Sequence, residues 1–310
     1  MEYRRLGRSG LKVSEIGLGC NNLGIRADKE TSMHIVNYAL EMGINFIDTA
    51  DSYAQGRSEE IIGRAVMGKR SQVIIATKFG HPNSVGPNQQ AGSRSYIMKA
   101  VDASLRRLNT DYIDLYYVHY PDPETQIQET LRALDDLVRT GKVRYVGCSN
   151  FAAWQLCEAL WTSKFNNQES FIAVQSRYNL LDRRIERELV PCCQTYGIGV
   201  IPWGPLAGGF LTGKYRRGQE MPAATRLTNP PPIYGDVLSD ANFEKLPKLE
   251  AFARARGHSV GELAIAWLMS HPWLGSVIAG VMNIEQLSAN LAATDWKLAT
   301  EEIVQVDKLL

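Results

Sequence analysis

The sequence predicts an α/β protein, a (β/α)8 TIM barrel with an N-terminal β-hairpin. Eight short apolar runs, rich in valine and isoleucine, recur along the 310 residues. Most of these runs do not alternate with polar residues, which is typical of parallel strands buried on both faces. Amphipathic segments with helical spacing lie between them. Eight strand–helix units in a chain of about 300 residues fit the closed barrel.

An open, doubly wound sheet is the alternative to the barrel. Its signature is a G-x-G-x-x-G motif directly after the first strand. The corresponding segment here reads GLGCNNLG, which has the wrong spacing. No low-complexity segment or linker divides the chain, so we expect one domain over residues 1–310.

The predicted elements follow one another in a regular order. Residues 1–14 form the hairpin, with a turn at Arg8-Ser9-Gly10. The barrel strands are predicted at residues 15–20, 44–48, 73–78, 113–119, 143–150, 171–175, 197–203 and 276–280.

Helices are predicted between these strands, with one additional helix before the last. Ser58 is a plausible N-cap and Gly141 a plausible C-cap. The long proline-containing segment 215–240 is predicted to be an irregular lid loop over the site. The helices are expected at residues 31–42, 58–67, 94–108, 126–140, 152–163, 184–196, 242–256, 261–271 and 284–293.

The composition argues against nucleic-acid and membrane partners. The chain is 45% apolar and 22% charged, with a net charge of +1. No stretch approaches 18 apolar residues, and the N-terminus lacks the apolar region of a signal peptide. The five cysteines lack zinc-ligand spacing, so we expect reduced thiols, no metal site and a cytoplasmic location.

Polar side chains stand where three consecutive predicted strands end. Asp48 ends the second strand, Lys78 the third and His119 the fourth, and Tyr53 lies in the loop after the second. Because the active site of a barrel forms at the carboxyl ends of its strands, these side chains should meet in one mouth. A buried carboxylate needs a partner, and Lys78 on the neighbouring strand is the natural one for Asp48.

This group of side chains suits the reduction of a carbonyl. A free tyrosine has a pKa of about 10, which makes it a poor proton donor at neutral pH. The Lys78 ammonium is expected to lower the pKa of Tyr53, and Asp48 to hold Lys78 in place and charged. His119 would orient the carbonyl oxygen or share the proton. Tyr53 would then protonate the developing alkoxide.

Each of these residues has a simpler explanation when taken alone. Asp48 could cap a helix, Lys78 could be an ordinary snorkelling lysine, and His119 could be a core histidine. Lys78 could also form a Schiff base, as in barrel aldolases, and borohydride trapping of a substrate on Lys78 would support that lyase chemistry. Their coincidence at successive strand ends favours the reductase interpretation.

Motifs along the whole chain resemble the aldo-keto reductases. In order, they are GINFIDTADSY, EEIIGRAV, IIATK, DLYYVHYPDP, GKVRYVGCSN, QSRYNLLDR, IPWGPLAGGFLTGKY and GVMNIEQLSAN. PWGPLAGG and LTGKY are most similar to the microbial and potassium-channel-β-like branch. The resemblance implies a (β/α)8 barrel that reduces aldehydes or ketones with NADPH. It places the catalytic roles on Asp48, Tyr53, Lys78 and His119, with Tyr53 as the general acid.

The resemblance also implies a set of cofactor contacts. Ser149, Asn150 and Gln175 resemble the groups that hold the nicotinamide amide, and Trp203 the ring that stacks on it. Residues 204–209 resemble the pyrophosphate loop, in which glycines let backbone N–H groups approach phosphate. The implied cofactor-binding residues are Cys20, Asn21, Asp48, Ser149, Asn150, Gln175, Trp203, Gly204, Pro205, Leu206, Ala207, Gly208, Lys214, Arg226, Gly280, Met282, Gln286 and Asn290.

Two positions depart from the family pattern. Met282 stands where many relatives of this branch carry an arginine that grips the 2′-phosphate of NADPH, so NADH is the alternative cofactor. Asn21 and Asn22 would make one pocket wall more polar than is usual. The pocket walls are expected from residues 21–25, 79–92, 120–123 and 215–240. These loops leave the carbonyl substrate open among glycol-type aldehydes, sugars and ketosteroid-like compounds.

A second class of function competes with the enzyme. A potassium-channel-β-like chain could be a cofactor-binding regulatory subunit with slow catalysis. This chain shows no long N-terminal extension and no evident partner surface, which favours a carbonyl reductase acting on a small molecule. The sequence leaves the oligomeric state open.

Overall fold

The computed structural model describes residues 1–82, 91–223 and 225–310. Eight parallel strands close into a barrel in the order β10-β3-β4-β5-β6-β7-β8-β9, and an antiparallel hairpin, β1-β2, precedes it. The (β/α)8 fold and the hairpin are therefore confirmed. The strands are β1 Tyr3–Arg5, β2 Lys12–Ser14, β3 Ile16–Gly19, β4 Phe46–Asp48, β5 Ile74–Phe79, β6 Ile113–Val118, β7 Val143–Ser149, β8 Ala173–Arg177, β9 Gly199–Trp203 and β10 Val277–Gly280.

Helices cover the outside of the barrel. Each predicted helix is present, and a further one, α10, follows the last predicted one. Helix α6 is shorter than predicted, because residues 184–186 form a separate helical turn. The helices are α1 Lys29–Glu41, α2 Arg57–Ala65, α3 Arg94–Leu108, α4 Ile127–Arg139, α5 Ala153–Phe165, α6 Leu189–Tyr196, α7 Asp240–Arg254, α8 Val260–Met269, α9 Ile284–Ala292 and α10 Thr300–Asp307.

The hairpin closes the N-terminal end of the barrel. Leu6 and Val13 are fully buried and pack with barrel residues such as Phe46 and Tyr117 in an inner core. Gly7 makes this approach possible, because it has a φ of +59° and a Cβ there would lie 2.5 Å from the Gly197 carbonyl oxygen. The opposite, carboxyl end of the barrel is left for the site.

The two predicted helix caps have different outcomes. Gly141 follows α4 with a φ of +78°, as a C-terminal glycine should. Ser58 is not the N-cap of α2, because the left-handed Gly56 precedes the helix instead. The Ser58 hydroxyl lies within the helix, contacts the Thr49 hydroxyl at 2.8 Å and donates to the Cys20 carbonyl at 3.0 Å. It therefore joins α2 to the first two barrel strands.

The part of the chain that the structure describes holds neither a membrane-spanning helix nor a cluster of metal ligands. Within residues 1–82, 91–223 and 225–310, no helix has the length and apolar character needed to cross a membrane. Across the same ranges, no three His, Cys, Asp or Glu side chains gather as ligands of a metal ion.

Candidate active site

Asp48 and Lys78 form a buried ion pair at the mouth of the barrel. The Lys78 ammonium donates to Asp48 Oδ1 at 2.6 Å and to the Thr49 carbonyl at 2.7 Å. Gln175, from β8 across the barrel, donates its amide to Asp48 Oδ2 at 2.8 Å. Lys78 is fully buried and Asp48 is 2% exposed. The carboxylate therefore has partners on both oxygens, as a charge removed from water requires.

The ion pair keeps Lys78 charged. Burial works against the ammonium, but the Asp48 carboxylate and the Tyr53 hydroxyl outweigh it and raise the pKa of Lys78. A Schiff-base lysine must be a neutral amine to attack a carbonyl. The surroundings of Lys78 therefore argue against the lyase interpretation.

Tyr53 sits over this ammonium on a strained turn. Ala54 and Gln55 follow it with φ of 52° and 57°, in the left-handed region, which few non-glycine residues adopt. The Lys78 nitrogen lies 5.1 Å from the centre of the Tyr53 ring. Burial raises the pKa of Tyr53, and the charge and hydrogen bond of Lys78 only partly offset it. The expected net lowering is therefore wrong, and Tyr53 keeps its proton at neutral pH.

His119 lies beside the tyrosine as a neutral imidazole. Its ring centre is 5.9 Å from that of Tyr53, and the two rings meet edge to face. Burial, with the charge of Lys78, holds the pKa of His119 well below its usual value. Among the described residues, its buried Nδ1 has no hydrogen-bond partner. Such an atom is a candidate for contact with a bound molecule.

A polar wall follows on the next strands. Asn150 has a φ of 61° and donates its amide to the His119 carbonyl at 3.0 Å and to the Ser149 hydroxyl at 3.1 Å. The indole nitrogen of Trp203 donates to Asn150 Oδ1 at 3.2 Å. These contacts fix the Trp203 ring at the mouth of the barrel, next to the catalytic candidates.

A cleft of about 1400 Å³ opens above these side chains. Its lining contains nearly all of the residues predicted from the sequence. Lys78 and Ala207 are the exceptions: Lys78 lies beneath the floor and Ala207 is buried. The predicted residues on its surface are Cys20, Asn21, Asp48, Tyr53, His119, Ser149, Asn150, Gln175, Trp203, Gly204, Pro205, Leu206, Gly208, Lys214, Arg226, Gly280, Met282, Gln286 and Asn290.

The loop after β9 has a glycine-rich backbone with left-handed conformations. Gly208 and Gly209 have φ of 67° and 93°, and Ala207 has a φ of 47°. Part of this backbone is already hydrogen-bonded, since the Ala207 N–H donates to the Gly204 carbonyl at 3.0 Å and the Gly209 N–H to the Leu206 carbonyl at 2.8 Å. The Lys214 ammonium lies about 3.0 Å from the position of a Cβ on Gly209. A cation and a glycine-rich backbone thus stand together where a phosphate is expected.

The long loop contributes a second cation. Arg226 donates to Asn22 Oδ1 at 2.7 Å, and Asn22 in turn donates to the Val281 carbonyl at 3.2 Å. Nearby, the backbone N–H of Met282 donates to Gln286 Oε1 at 2.9 Å. Arg226 and Met282 therefore face the same end of the cleft, with Asn22 between their loops.

Aromatic side chains form the wall next to Tyr53. His81, Tyr120 and Tyr234 all line the cleft. The Tyr120 ring stacks on His119, with 4.9 Å between ring centres. The expected wall segment 79–92 is described only at residues 79–82 and 91–92, and its residues 83–90 lie outside the described residues.

Sequence reasoning missed a polar cluster behind the tyrosine turn. Asp51 accepts a hydrogen bond from the Tyr96 hydroxyl at 3.3 Å, and its Oδ1 has no partner among the described residues. Burial, with the nearby Glu59 carboxylate, raises the pKa of Asp51 to about 6. Glu59 is fully buried and accepts from Arg107 and Thr77, both at 2.6 Å. The only sequence signal for this cluster was a second aspartate in DTADSY.

Comparisons with known proteins agree with this geometry. Residues 15–310 match the model of the aldo/keto reductase family. The chain is 38% identical, over 98% of its length and 94% of the relative's, to a probable voltage-gated potassium channel subunit beta of Oryza sativa subsp. japonica. It is 36% identical to the uncharacterized oxidoreductase YrpG of Bacillus subtilis, over 97% of the chain and 93% of the relative.

A third relative has a named reaction. The versiconal hemiacetal acetate reductase of Aspergillus parasiticus is 35% identical, over 99% of this chain and 95% of its own. The family match covers nearly the whole chain, and each of these relatives aligns over almost all of its length. The chain belongs to the aldo/keto reductase family.

Proposed function

We propose that this protein reduces an aldehyde or ketone to the corresponding alcohol with NADPH, in a reversible reaction. One observation carries the proposal: a fully buried lysine, held charged by Asp48, lies under the tyrosine at the floor of a large cleft. A proton donor paired with a fixed positive charge stabilises the negative charge that develops on a carbonyl oxygen.

In the proposed reaction, the chain's own residues handle the proton. Tyr53 gives its hydroxyl proton to the substrate oxygen as the carbonyl carbon is reduced. Lys78 stabilises the tyrosinate left behind, and Asp48 fixes the position of Lys78. Neutral His119 hydrogen-bonds the carbonyl oxygen and orients it toward Tyr53. A proton from solvent then restores Tyr53.

The residues present fit a nicotinamide dinucleotide. Amide and hydroxyl groups of Ser149, Asn150 and Gln175 line the cleft beside Trp203, which offers a planar surface for stacking. The glycine-rich turn at residues 204–209, which lets a ligand approach the backbone closely, and the Lys214 ammonium beside it suit the pyrophosphate. The bound cofactor would supply the hydride for the carbonyl carbon.

The cofactor preference rests on three side chains that line the cleft. Lys214 and Arg226 are cations that favour the 2′-phosphate of NADPH, whereas Met282 cannot bind it. We therefore propose NADPH as the preferred cofactor, with a narrower margin over NADH than an arginine at position 282 would give.

Steady-state oxidation of NADPH and NADH with a panel of carbonyl compounds tests the proposal. The panel should include aromatic aldehydes, because His81 and Tyr120 line the cleft beside His119 and close to Tyr53. Aliphatic aldehydes, sugars and ketosteroids complete it. We expect turnover with at least one class and faster turnover with NADPH.

The variant Tyr53→Phe tests the assigned role. Phenylalanine keeps the ring and removes the proton, so kcat should fall about 10²–10⁴-fold while the cofactor Kd changes little. Tyr196→Phe is the matched control, since Tyr196 lies on α6 and does not line the cleft. Turnover of Tyr53→Phe within a few-fold of the parent would remove Tyr53 as the acid.

A regulatory subunit is the second candidate function. Two relatives, at 38% identity each, are named probable voltage-gated potassium channel subunit beta, one from rice and one from Arabidopsis thaliana. That function predicts tight cofactor binding with turnover that stays slow across the whole panel. The same assay therefore separates the two candidates.

A further inference from the structure

Four of the five cysteines lie close together around the contact between helices α5 and α6. All five are free thiols. Cys148 on β7 and Cys193 on α6 are buried, and burial raises the pKa of each thiol. Cys157 on α5 and Cys192 on α6 are only half-buried. None of the four lines the active-site cleft, so the proposed reaction does not account for them.

Cys157 and Cys192 face each other across this helix contact. The Cys157 sulfur lies 3.8 Å from the hydroxyl of Tyr196, which is one turn beyond Cys192 on α6. The Cys192 sulfur lies 3.9 Å from the carbonyl oxygen of Ala153, which is one turn before Cys157 on α5. That carbonyl accepts the backbone N–H of Cys157 within the helix. The Cys192 sulfur is therefore at most about 7 Å from the Cys157 nitrogen.

The directions of the side chains bring the two sulfurs closer still. A helical side chain points back over the turn that precedes it, so the Cys157 sulfur lies over the turn of Ala153, which the Cys192 sulfur contacts. Burial, and then the charge of a Cys157 thiolate, raises the pKa of Cys192, so the two sulfurs are within electrostatic reach of each other. We expect rotation about χ1 to bring them to the disulfide bonding distance of about 2.0 Å.

The other pairings of these thiols are less suitable. Cys192 and Cys193 are adjacent on one helix, so their side chains point about 100° apart. Cys148 and Cys193 are both buried, which keeps a dissolved oxidant away from them. The half-buried pair is therefore the one that can react with a molecule in solution.

We propose that Cys157 and Cys192 form a reversible disulfide that joins α5 to α6 when the protein meets a small disulfide such as glutathione disulfide. The Cys157 thiolate attacks one sulfur of the oxidant, which gives a mixed disulfide and releases one glutathione thiolate. The Cys192 thiolate then attacks the Cys157 sulfur, and the second glutathione thiolate leaves. The two protons of the protein thiols pass through solvent to these thiolates. Two protein thiols are thereby oxidised, and one glutathione disulfide is reduced to two glutathione molecules.

The proposed disulfide stabilises the fold and takes no part in the chemistry of the cleft. Because its pKa is raised, Cys192 holds less thiolate than an unperturbed cysteine and is assigned the second step. The cross-link closes a loop of about 35 residues that includes β8. Restricting the unfolded chain in this way should lower the equilibrium constant for unfolding by about 30-fold or more.

Thiol counting on the native protein tests the pairing. After incubation with glutathione disulfide, the chain is denatured in the presence of N-ethylmaleimide, and its intact mass is measured. The reduced chain should take up five maleimides and the oxidised chain three, with no glutathione retained. Dithiothreitol should restore the uptake of five. Glutathione retained by the parent chain, or five maleimides after the incubation, would overturn the proposal.

Three variants assign the lost thiols to this pair. Cys157→Ser and Cys192→Ser each remove one partner, so neither should form an internal disulfide. Cys193→Ala is the matched control, since it removes the neighbouring thiol of the same helix and should still form the cross-link. An internal disulfide in Cys157→Ser, or none in Cys193→Ala, would show that the pairing is wrong.

Urea unfolding tests the effect of the disulfide on stability. The oxidised parent chain should unfold at a higher urea concentration than the same protein in dithiothreitol. Cys157→Ser should show no such difference between the two conditions. Equal midpoints for the oxidised and reduced parent chain would contradict the stabilising role.

Discussion

At the scale of single residues, Lys78 is the group on which its neighbours depend most. Replacing it with methionine leaves Asp48 buried with only Gln175 as a partner, and Tyr53 without its cation. Breaking a buried ion pair in this way costs about 3–5 kcal/mol. We expect Lys78→Met to lower the free energy of unfolding by about that amount and kcat by about 10²-fold or more.

The pH dependence of Lys78→Met separates catalysis from stability. Lys78 lowers the pKa of Tyr53, so its loss should move the basic limb of the pH–rate profile to higher pH. Urea unfolding and initial rates measure the two effects. Lys69→Met, at an exposed lysine, should change neither. Normal turnover with an unchanged pH profile would exclude the Asp48–Lys78–Tyr53 relay.

Asp51 makes a second prediction at this scale. Its pKa rises from 3.8 to about 6 on folding, so the folded state holds its proton more tightly than the unfolded chain does. The stability that the bound proton of Asp51 contributes to the fold is fully present below pH 3.8 and is lost as the pH rises through about 6. At neutral pH, the ionised carboxylate therefore destabilises the fold, by about 3 kcal/mol.

The variant Asp51→Asn removes this charge and keeps an acceptor for Tyr96. We expect it to raise the free energy of unfolding by about 3 kcal/mol at pH 7.5, and by only about 1 kcal/mol at pH 4.5. Urea titrations at both pH values measure this. Asp111→Asn, at an exposed aspartate, is the control and should have little effect at either pH. A gain that does not depend on pH would mean that Asp51 is not the titrating group.

A comparison of Asp48 with Asp51 shows how much of the site could be predicted from the sequence. Asp48 follows a buried strand directly, so its need for a cationic partner could be read from position alone. Asp51 lies only three residues later, but its burial depends on Tyr96 and Arg107 of α3, far along the chain. The net pKa of Tyr53 was misjudged for the same reason. The sequence showed the nearby cation but not the extent of burial, which outweighs it.

At the scale of elements, the hairpin covers the end of the barrel opposite the cleft. Loss of its packing should therefore destabilise the fold without changing the active site. Leu6 is fully buried in the inner core at the end opposite the cleft. Leu6→Ala should lower the free energy of unfolding by about 2–5 kcal/mol, because a cavity remains among rigid strands. Val304→Ala, at a 47% exposed residue of α10, should change it by less than about 0.5 kcal/mol.

Cofactor titration distinguishes a purely structural role of the hairpin from a role in the active site. The folded fraction of Leu6→Ala should bind NADPH with the parent Kd, as measured by tryptophan fluorescence below the unfolding transition. A large change in Kd would show that the hairpin also shapes the cleft.

The elements were predictable to different degrees, for physical reasons. All eight barrel strands were found because strands buried on both faces give nearly uninterrupted apolar runs. Helix α10 was missed, since of its residues only Val306 is buried and its apolar periodicity is weak. Ser58 was misread as a cap because the residue that precedes α2 is Gly56. The left-handed backbone conformation of Gly56 is not evident from the sequence.

At the scale of the whole molecule, the cleft joins segments from Gly19 to Asn290. A ligand bound there contacts strands from most of the barrel, so it binds the folded chain and not the unfolded one. Such a ligand stabilises the fold by an amount that grows with the ratio of its concentration to its Kd. Unfolding measured with each cofactor therefore reports affinity without requiring turnover.

Met282→Arg is the variant best suited to this measurement. The guanidinium would give a 2′-phosphate the paired, charge-assisted hydrogen bonds that methionine cannot provide. We expect about 10- to 100-fold tighter NADPH binding, which appears as about 1.4–2.8 kcal/mol of added stability at a fixed, saturating NADPH concentration. NADH has no such phosphate and should stabilise the variant and the parent equally.

Met67→Arg is the matched control for this last prediction. It adds the same charge at a 65% exposed methionine outside the cleft, so it corrects for the general effect of a new cation on phosphate binding. Its NADPH-dependent stabilisation should equal that of the parent. If Met282→Arg shifts stabilisation by both cofactors equally, or by neither, residue 282 does not face the 2′-phosphate. Any preference for NADPH would then come from Lys214 and Arg226, without a contribution from residue 282.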